Sequence, residues 1–141
     1  MRIEWAIPCR YAEVNGGLPT IVGAGQEVIF ASLPAVCQLY VAIQLLAAPE
    51  EFNDPRDHRL VIDVLDPEGA AAAEPLEARF APRLDADVSA EWLVPLAVVK
   101  LVQWVANRAG VYRFRVQVDD AEEVVVPVRV KSLESAPRRP T

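Results

Sequence analysis

The chain has 141 residues, of which 52% are hydrophobic, and its formal net charge at pH 7 is -6. This length fits one domain with a sizeable core, and the hydrophobic content excludes an intrinsically disordered chain. The negative charge argues against nucleic acid or an anionic membrane as a partner. Two cysteines are too few for a disulfide-stapled secreted domain, and no apolar run in the sequence is long enough to span a bilayer. Because the N-terminal residues also lack a signal-peptide pattern, we expect a soluble cytoplasmic protein with reduced thiols.

Short segments with strand character follow one another along the chain, separated by Gly, Pro and Asp turns. Asn15-Gly16-Gly17 predicts a tight turn, residues 49–59 an acidic loop, and Asp66-Pro67-Glu68-Gly69 a β-turn. The predicted strands lie, in chain order, at residues 3–9, 18–23, 26–30, 36–47, 60–64, 76–84, 98–105, 112–119 and 124–130.

The segment at residues 92–106 has two possible interpretations. Ser89 is a suitable helix cap and Glu91 suits a first helical turn, but the run is rich in valine and contains Pro95. We assign residues 98–105 to a strand and keep a helix as the alternative. Since this strand is apolar on both faces, we expect it to be central in a sheet or covered by a partner.

The clearest pattern is the predicted hairpin near the C-terminus. Apolar and polar residues alternate strictly from Tyr112 to Asp119, and a Val-rich run follows the polar turn. Gly110-x-Tyr112 is typical of the tyrosine corner of immunoglobulin-like sandwiches. Pro127 cannot donate to a β-ladder and therefore predicts an edge position for the last strand.

No βαβ alternation interrupts these strands, so the sequence predicts an all-β, antiparallel two-sheet β-sandwich of immunoglobulin-like character. We expect residues 1–133 to form this single domain. Residues 134–141, rich in proline and arginine, are predicted to be a disordered tail.

The same segments resemble a family of small uncharacterised bacterial proteins with a Cys-x-Tyr-Ala N-terminal motif and a Gly-x-Tyr C-terminal hairpin. Arg10 stands where an aspartate is common in such sequences. The resemblance implies a β-sandwich-like domain of unknown function and implies no activity. The matching residues are Cys9-Arg10-Tyr11-Ala12-Glu13-Val14, Leu18, Ile21-Val22-Gly23, Leu33-Pro34, residues 58–64, Asp66-x-x-Gly69 and Gly110-x-Tyr112.

Catalytic and metal-binding candidates are few. Cys9 or Cys37 with His58 forms a conceivable nucleophile pair, but both cysteines lie on apolar strands and are expected in the core. Glu50, Glu51, Asn53, Asp54 and Asp57 offer oxygen ligands without the regular spacing of a calcium loop, so we expect a solvated loop. No serine-hydrolase, phosphate-loop or dinucleotide motif occurs. We therefore expect no enzymatic activity and no cofactor.

Aromatic and glutamine side chains are the best candidates for an interaction surface. Tyr40, Gln38 and Gln44 share one face of the strand at residues 36–47, and Tyr11 and Trp92 are further candidates. Trp5 and Trp104 are expected in the core. The favoured function is a non-catalytic protein-interaction or assembly module with a protein partner or a second copy. The alternative is a small-ligand or carbohydrate-binding β-sandwich module.

Overall fold

The computed structural model describes residues 1–25, 27–52, 57–81, 93–121 and 123–135. Within these ranges the chain is almost entirely β-structure, which confirms the predicted all-β class. A single helical turn, α1 (Pro49–Phe52), and a 3-10 turn at Leu133–Ser135 are the helical segments found there. The strands are β1 (Arg2–Cys9), β2 (Tyr11–Asn15), β3 (Leu18–Val22), β4 (Val28–Ala31), β5 (Ala35–Ala47), β6 (His58–Leu65), β7 (Leu76–Phe80), β8 (Val94–Ala106), β9 (Gly110–Val118) and β10 (Val124–Ser132).

The strands form two main sheets and one separate hairpin. The smaller sheet has the order β1-β5-β8 and is antiparallel throughout. The larger sheet has the order β4-β10-β9-β6-β7, and β2 pairs with β3 as a hairpin. The predicted antiparallel pairing is confirmed for the other strand pairs of these sheets, and the β4–β10 pair differs in being parallel.

The main core lies between the inner faces of the two sheets. Period-2 alternation turns every second residue of each strand inward, so the buried side chains come from both sheets. Fully buried Phe114 and Ile43 each contribute about 1.5–3 kcal/mol through removal of apolar surface from water. Other buried members of this cluster include Leu39, Val41, Leu45, Leu60, Ile62, Val64, Val102, Trp104, Tyr112, Val116, Val128 and Val130.

A second, smaller core lies on the outer face of the smaller sheet. The β2–β3 hairpin folds over β5 and β8 and buries Cys9, Ala12 and Ala42. Small side chains at these positions allow the hairpin backbone to approach the sheet closely. Trp5 and Ile21 pack against this cluster.

β8 is a strand and not a helix, and all of its residues pair with β5, from Ala47↔Val94 to Ala35↔Ala106. Of the two expected positions, the central one is wrong, because β8 forms an edge of the smaller sheet, whereas cover by a partner stays a prediction. Val102 and Trp104 of β8 are buried in the main core, whereas Leu101 and Val105 on the outer face are exposed. The two-sided apolar pattern therefore reflects one buried face and one partly open face.

The tyrosine corner forms as the Gly-x-Tyr pattern predicts. The Tyr112 hydroxyl donates to the Arg108 carbonyl oxygen at 2.9 Å. Gly110 has a φ of 145°, and a Cβ at this position would lie 2.6 Å from Pro67 Cγ. Glycine is required here because β9 begins directly against the β-turn in which the Gly69 amide donates to the Asp66 carbonyl at 2.9 Å.

Other parts of the predicted loops and edges differ in detail. Residues 49–59 are not a continuous loop, since α1 occupies Pro49–Phe52 and β6 begins at His58. β10 lies between β4 and β9, so the predicted edge position of the last strand is wrong. Pro127 is tolerated because the pairing of β10 with β4 begins only at Arg129, so the missing amide of Pro127 disturbs no ladder on that side. Residues 136–141 of the predicted tail lie outside the described residues. Neither helical segment has the length or apolar character needed to cross a membrane.

Candidate functional site

The outer face of the smaller sheet carries a row of exposed side chains next to the β2–β3 hairpin. Val36 of β5 lies opposite Val105 of β8, and these side chains are 74% and 49% exposed. Tyr40 lies opposite Leu101, which is 39% exposed, on the same face. These four residues, together with Tyr11 and the Gln38–Gln103 pair between the two rows, form what we call the outer patch.

Two glutamines lie between these apolar rows. Gln38 and Gln103 face each other across β5 and β8, and the Gln103 Nε2 donates to the Gln38 Oε1 at 2.9 Å. Each amide satisfies part of the hydrogen-bonding capacity of the other, which lowers the cost of covering this surface. The outer patch is therefore a continuous set of three cross-strand rows, polar only in its middle row.

Tyr11 and Tyr40 bring the hairpin and the sheet together at one end of the outer patch. Their ring centroids are 5.3 Å apart at an interplanar angle of 67°, an edge-to-face contact. A hollow of about 190 Å³ lies beside them, lined by Arg10, Ile29, Gln38, Leu39, Tyr40 and Leu101. Drug-sized ligands occupy pockets of about 300–1,000 Å³, so this hollow is small for a ligand site.

The structure thus brings together three of the predicted interaction residues: Tyr11, Gln38 and Tyr40. Gln44 is half-buried farther along β5, opposite Ala97, and Trp92 lies outside the described residues. Trp104 is buried as predicted, whereas Trp5 is only partly buried against the second core. Val36, Leu101 and Val105 were not among the predicted interaction residues, although Val36 shares the alternation of Gln38 and Tyr40, and the apolar pattern on both faces of β8 predicted a central or partner-covered strand.

The hypothetical Cys–His nucleophile pair does not assemble. Cys9 is buried in the second core and Cys37 in the main core, and both thiols are free. Burial raises the pKa of both thiols above the usual value. For Cys9, a backbone hydrogen bond lowers the pKa and offsets part of this increase. The ring nitrogens of His58 bond to the Asp119 carboxylate and the Glu51 carbonyl oxygen, and the Cys9 thiol donates to the Tyr40 carbonyl oxygen. The arrangement disfavours thiolate chemistry at either cysteine.

His58 is held in a network at one end of the sandwich. Its Nδ1 lies 2.8 Å from the Asp119 Oδ2, and its Nε2 lies 3.2 Å from the Glu51 carbonyl oxygen. Asp119 Oδ1 accepts a hydrogen bond from the Arg59 amide at 2.9 Å, and the His58 ring stacks on Phe80. The network ties α1 to the ends of β6 and β9.

Burial disfavours the charged form of His58, but hydrogen bonds and attraction from Asp119 and the Glu51 region outweigh it and raise its pKa above the usual value. For Asp119, burial is likewise outweighed by hydrogen bonds from His58 and the Arg59 amide, so its pKa is lowered. Both shifts favour the ionised pair. Because every partner belongs to the fold itself, this arrangement explains local structure and identifies no substrate site.

No group of three His, Cys, Asp or Glu side chains converges as a metal site anywhere in the described ranges. Glu51 of the acidic loop is already engaged, since its Oε2 accepts from the Ala48 amide at 2.8 Å. Residues 53–56 of that loop lie outside the described residues, so its predicted solvation stays a prediction there.

The packed sheets and the outer patch define a class: an all-β, sandwich-like domain with an exposed apolar and aromatic surface. The chain belongs to DUF6941, a family of unknown function whose model matches residues 4–131. This match confirms the resemblance to an uncharacterised family. Comparisons with curated proteins and with solved structures found no match.

Proposed function

We propose that this protein is a protein-interaction or assembly module and that the outer patch is its contact surface. The observation that carries the proposal is the cross-strand pair Val36–Val105, in which two valines facing each other across β5 and β8 are 74% and 49% exposed. Exposed apolar area costs about 25 cal/mol per Å² relative to burial, so a partner that covers this pair gains that free energy.

The composition of the outer patch suits a protein partner. Aromatic side chains are enriched at the centre of protein interfaces, and charged residues are depleted there. The three rows across β5 and β8 contain valine, glutamine, tyrosine and leucine, with no charged side chain among them. The covered surface would thus lose little charge solvation.

Two features of β8 discourage another strand from pairing with its free edge, which leaves the side chains on its outer face for contact with a partner. Pro95 lacks an amide hydrogen, and Lys100 places a charge on the side of the strand that faces the main core. Proline and inward-pointing charges on edge strands both discourage pairing with another chain. We therefore favour side-chain contact on the outer patch over addition of a strand to β8.

A small-ligand or carbohydrate module is the second candidate, and only Tyr11 and Tyr40 favour it. A sugar platform requires rings that present their faces together, whereas these two rings meet edge to face at 67°. The small hollow beside them also favours a flat contact.

The test is native mass spectrometry of tagged protein recovered from lysate of its own host. For the wild type we expect masses above the chain mass in protein-sized steps. The variant V36K/V105E should lose these species, because it replaces the exposed valines by a cross-strand ion pair while keeping the net charge unchanged.

The matched control is L18K/V14E in the β2–β3 hairpin. Leu18 and Val14 are also exposed, at 73% and 37%, and this double substitution likewise leaves the net charge unchanged. The control variant should keep the complexes of the wild type. A bare monomer for the wild type, or identical complexes for V36K/V105E, would contradict the proposal.

A further inference from the structure

The outer face of the larger sheet carries a group of basic residues that the fold itself does not use. Arg113 of β9 lies opposite Pro127, and Arg129 of β10 lies opposite Val111. Lys131 follows on the same face of β10, opposite Phe30 of β4. We call Arg113, Arg129 and Lys131 the basic stripe.

Diagonal neighbours on one face of an antiparallel pair are about 7–8 Å apart at Cβ. Arg113 and Arg129 stand in this diagonal relation, because Arg129 lies two residues beyond Pro127, the partner of Arg113. Their guanidinium groups are therefore close enough for one acidic segment to reach both.

The basic stripe differs from the other arginines of the same sheet. Arg59 lies 3.0 Å from Glu77, Arg79 lies 3.3 Å from Glu77, and Arg115 lies 3.1 Å from Asp63. Within the described part of the chain, by contrast, no carboxylate lies within ion-pair distance of Arg113, Arg129 or Lys131. Adjacent like charges repel each other, so this cluster contributes nothing evident to the stability of the sheet.

Apolar side chains flank the basic stripe. Val28 and Phe30 of β4 are 38% and 39% exposed, and Val125 of β10 is 48% exposed. A hollow of about 290 Å³ runs between β4 and β9, lined by Glu27, Val28, Val111, Pro127 and Arg129. Glu27 contributes one carboxylate to this hollow, and the rest of the surface offers cationic groups and apolar contacts side by side.

From this charge complementarity we propose that the basic stripe binds an acidic segment of a protein partner. Arg113 and Arg129 receive carboxylates of an extended segment, and Val28, Phe30 and Val125 contact its intervening apolar side chains. Guanidinium groups bind carboxylates through two parallel hydrogen bonds, which gives arginine an advantage at such a site.

A short acidic peptide fits this surface better than a nucleic acid. The net charge of -6 repels a long polyanion that extends over the whole molecule. A short segment experiences chiefly the local basic stripe, because the Debye length at physiological salt is about 8 Å. The exposed Phe30 and Val125 also match peptide side chains and offer nothing specific to a phosphate backbone.

The test is an NMR titration of ¹⁵N-labelled protein with a short peptide in which glutamate alternates with valine. We expect saturable shift changes centred on the amides of Val111, Arg113, Arg129 and Lys131. A peptide with glutamine in place of glutamate should leave these amides unchanged. The variant R113Q/R129Q should raise the dissociation constant of the peptide about tenfold, because two charge-assisted contacts are lost.

The matched control is R2Q/R79Q, which removes the same amount of positive charge from two exposed sites outside the stripe. It should change the dissociation constant by less than about twofold, as expected for screened, distant charges. Equal weakening by both variants, shifts centred elsewhere, or no saturable binding would overturn the proposal. Tighter binding of inorganic phosphate or duplex DNA at the same amides would also overturn it.

The result is separable from the test of the outer patch, since the basic stripe lies on the other sheet. If the variant V36K/V105E still binds the peptide, the proposal for the basic stripe is supported, even if the outer patch proves to bind no partner. Loss of self-association in R113Q/R129Q without peptide binding would instead identify a second copy of this chain as the occupant, against the proposal.

Discussion

At the scale of single residues, His58 is the most constrained polar side chain of the sandwich. Both of its ring nitrogens face acceptors, the Asp119 carboxylate at 2.8 Å and the Glu51 carbonyl oxygen at 3.2 Å. Only the doubly protonated ring donates to both, and this agrees with the raised pKa of His58. Asp119 has a φ of 50°, a backbone conformation that aspartate and asparagine tolerate better than most residues.

The His58–Asp119 pair predicts a defined pH dependence of stability. Its contribution requires ionised Asp119 and protonated His58, so it is largest between about pH 4 and about pH 6.5, the usual pKa values of these side chains in unfolded chains. It is lost as the pH rises through the raised pKa of His58, and also as the pH falls through the lowered pKa of Asp119.

Asp119→Asn should therefore lower the free energy of unfolding by about 1 kcal/mol near pH 5.5 and by less above the folded pKa of His58. The value is kept small because the Asp119 side chain is 40% exposed. Urea unfolding across a pH series measures the difference. His58 is the single histidine of the sequence, so one NMR resonance reports its pKa directly. An equal loss of unfolding free energy at every pH would contradict the coupling of stability to titration of His58 and Asp119.

At the scale of elements, the tyrosine corner joins the start of β9 to the loop that follows β8. The Tyr112 side chain is buried in the main core beside the Trp104 ring, and its hydroxyl donates to the Arg108 carbonyl oxygen. The Asp66–Gly69 turn packs against Gly110 at the same corner, so strands of both sheets converge there.

Tyr112→Phe removes this hydrogen bond while retaining the buried ring, and it should reduce the free energy of unfolding by about 1 kcal/mol. Tyr11→Phe is the matched control, since the Tyr11 hydroxyl donates to Glu13 at 3.0 Å on the exposed surface. That control should change stability by less than about 0.5 kcal/mol. Urea denaturation of both variants provides the comparison, and equal effects would show that the corner adds no stability.

At the scale of the whole molecule, the two cores differ greatly in size. The main core draws on both sheets, whereas the second core consists of Cys9, Ala12 and Ala42 under the β2–β3 hairpin. Small apolar clusters near the surface open with less free energy than the centre of a domain. Opening of the hairpin is therefore expected without unfolding of the sandwich.

The two cysteines report on these cores separately. Cys9 and Cys37 are 0% and 4% exposed, so static exposure does not distinguish them. In native conditions we expect Cys9 to react with a thiol reagent at least about tenfold faster than Cys37, because local opening suffices to expose it. Labelling of the variants Cys9→Ala and Cys37→Ala followed by mass spectrometry measures the two rates. Equal rates would mean that the hairpin and the sandwich unfold together.

Much of the architecture follows from local patterns. Alternation from Tyr112 to Asp119, the turns at Asn15-Gly16-Gly17 and Asp66–Gly69, and the Gly-x-Tyr corner were all predicted from neighbouring residues. The immunoglobulin-like character of the sandwich stays a prediction, as does the cytoplasmic location. The edge position of β8 and the parallel β4–β10 pair were not predictable, because strand order depends on contacts between residues far apart in the sequence.

The sequence by itself determined the all-β class, the inward face of most strands and the residues of the tyrosine corner, since period-2 alternation and turn chemistry act over a few residues. The tertiary structure alone decided which apolar residues remain exposed. Val105 reads like a core residue in the apolar run of β8, yet strand pairing places it beside Val36 on an outer face where both remain exposed. Likewise, pairing of β9 with β10 places Arg113 beside Arg129, which no local pattern brings together.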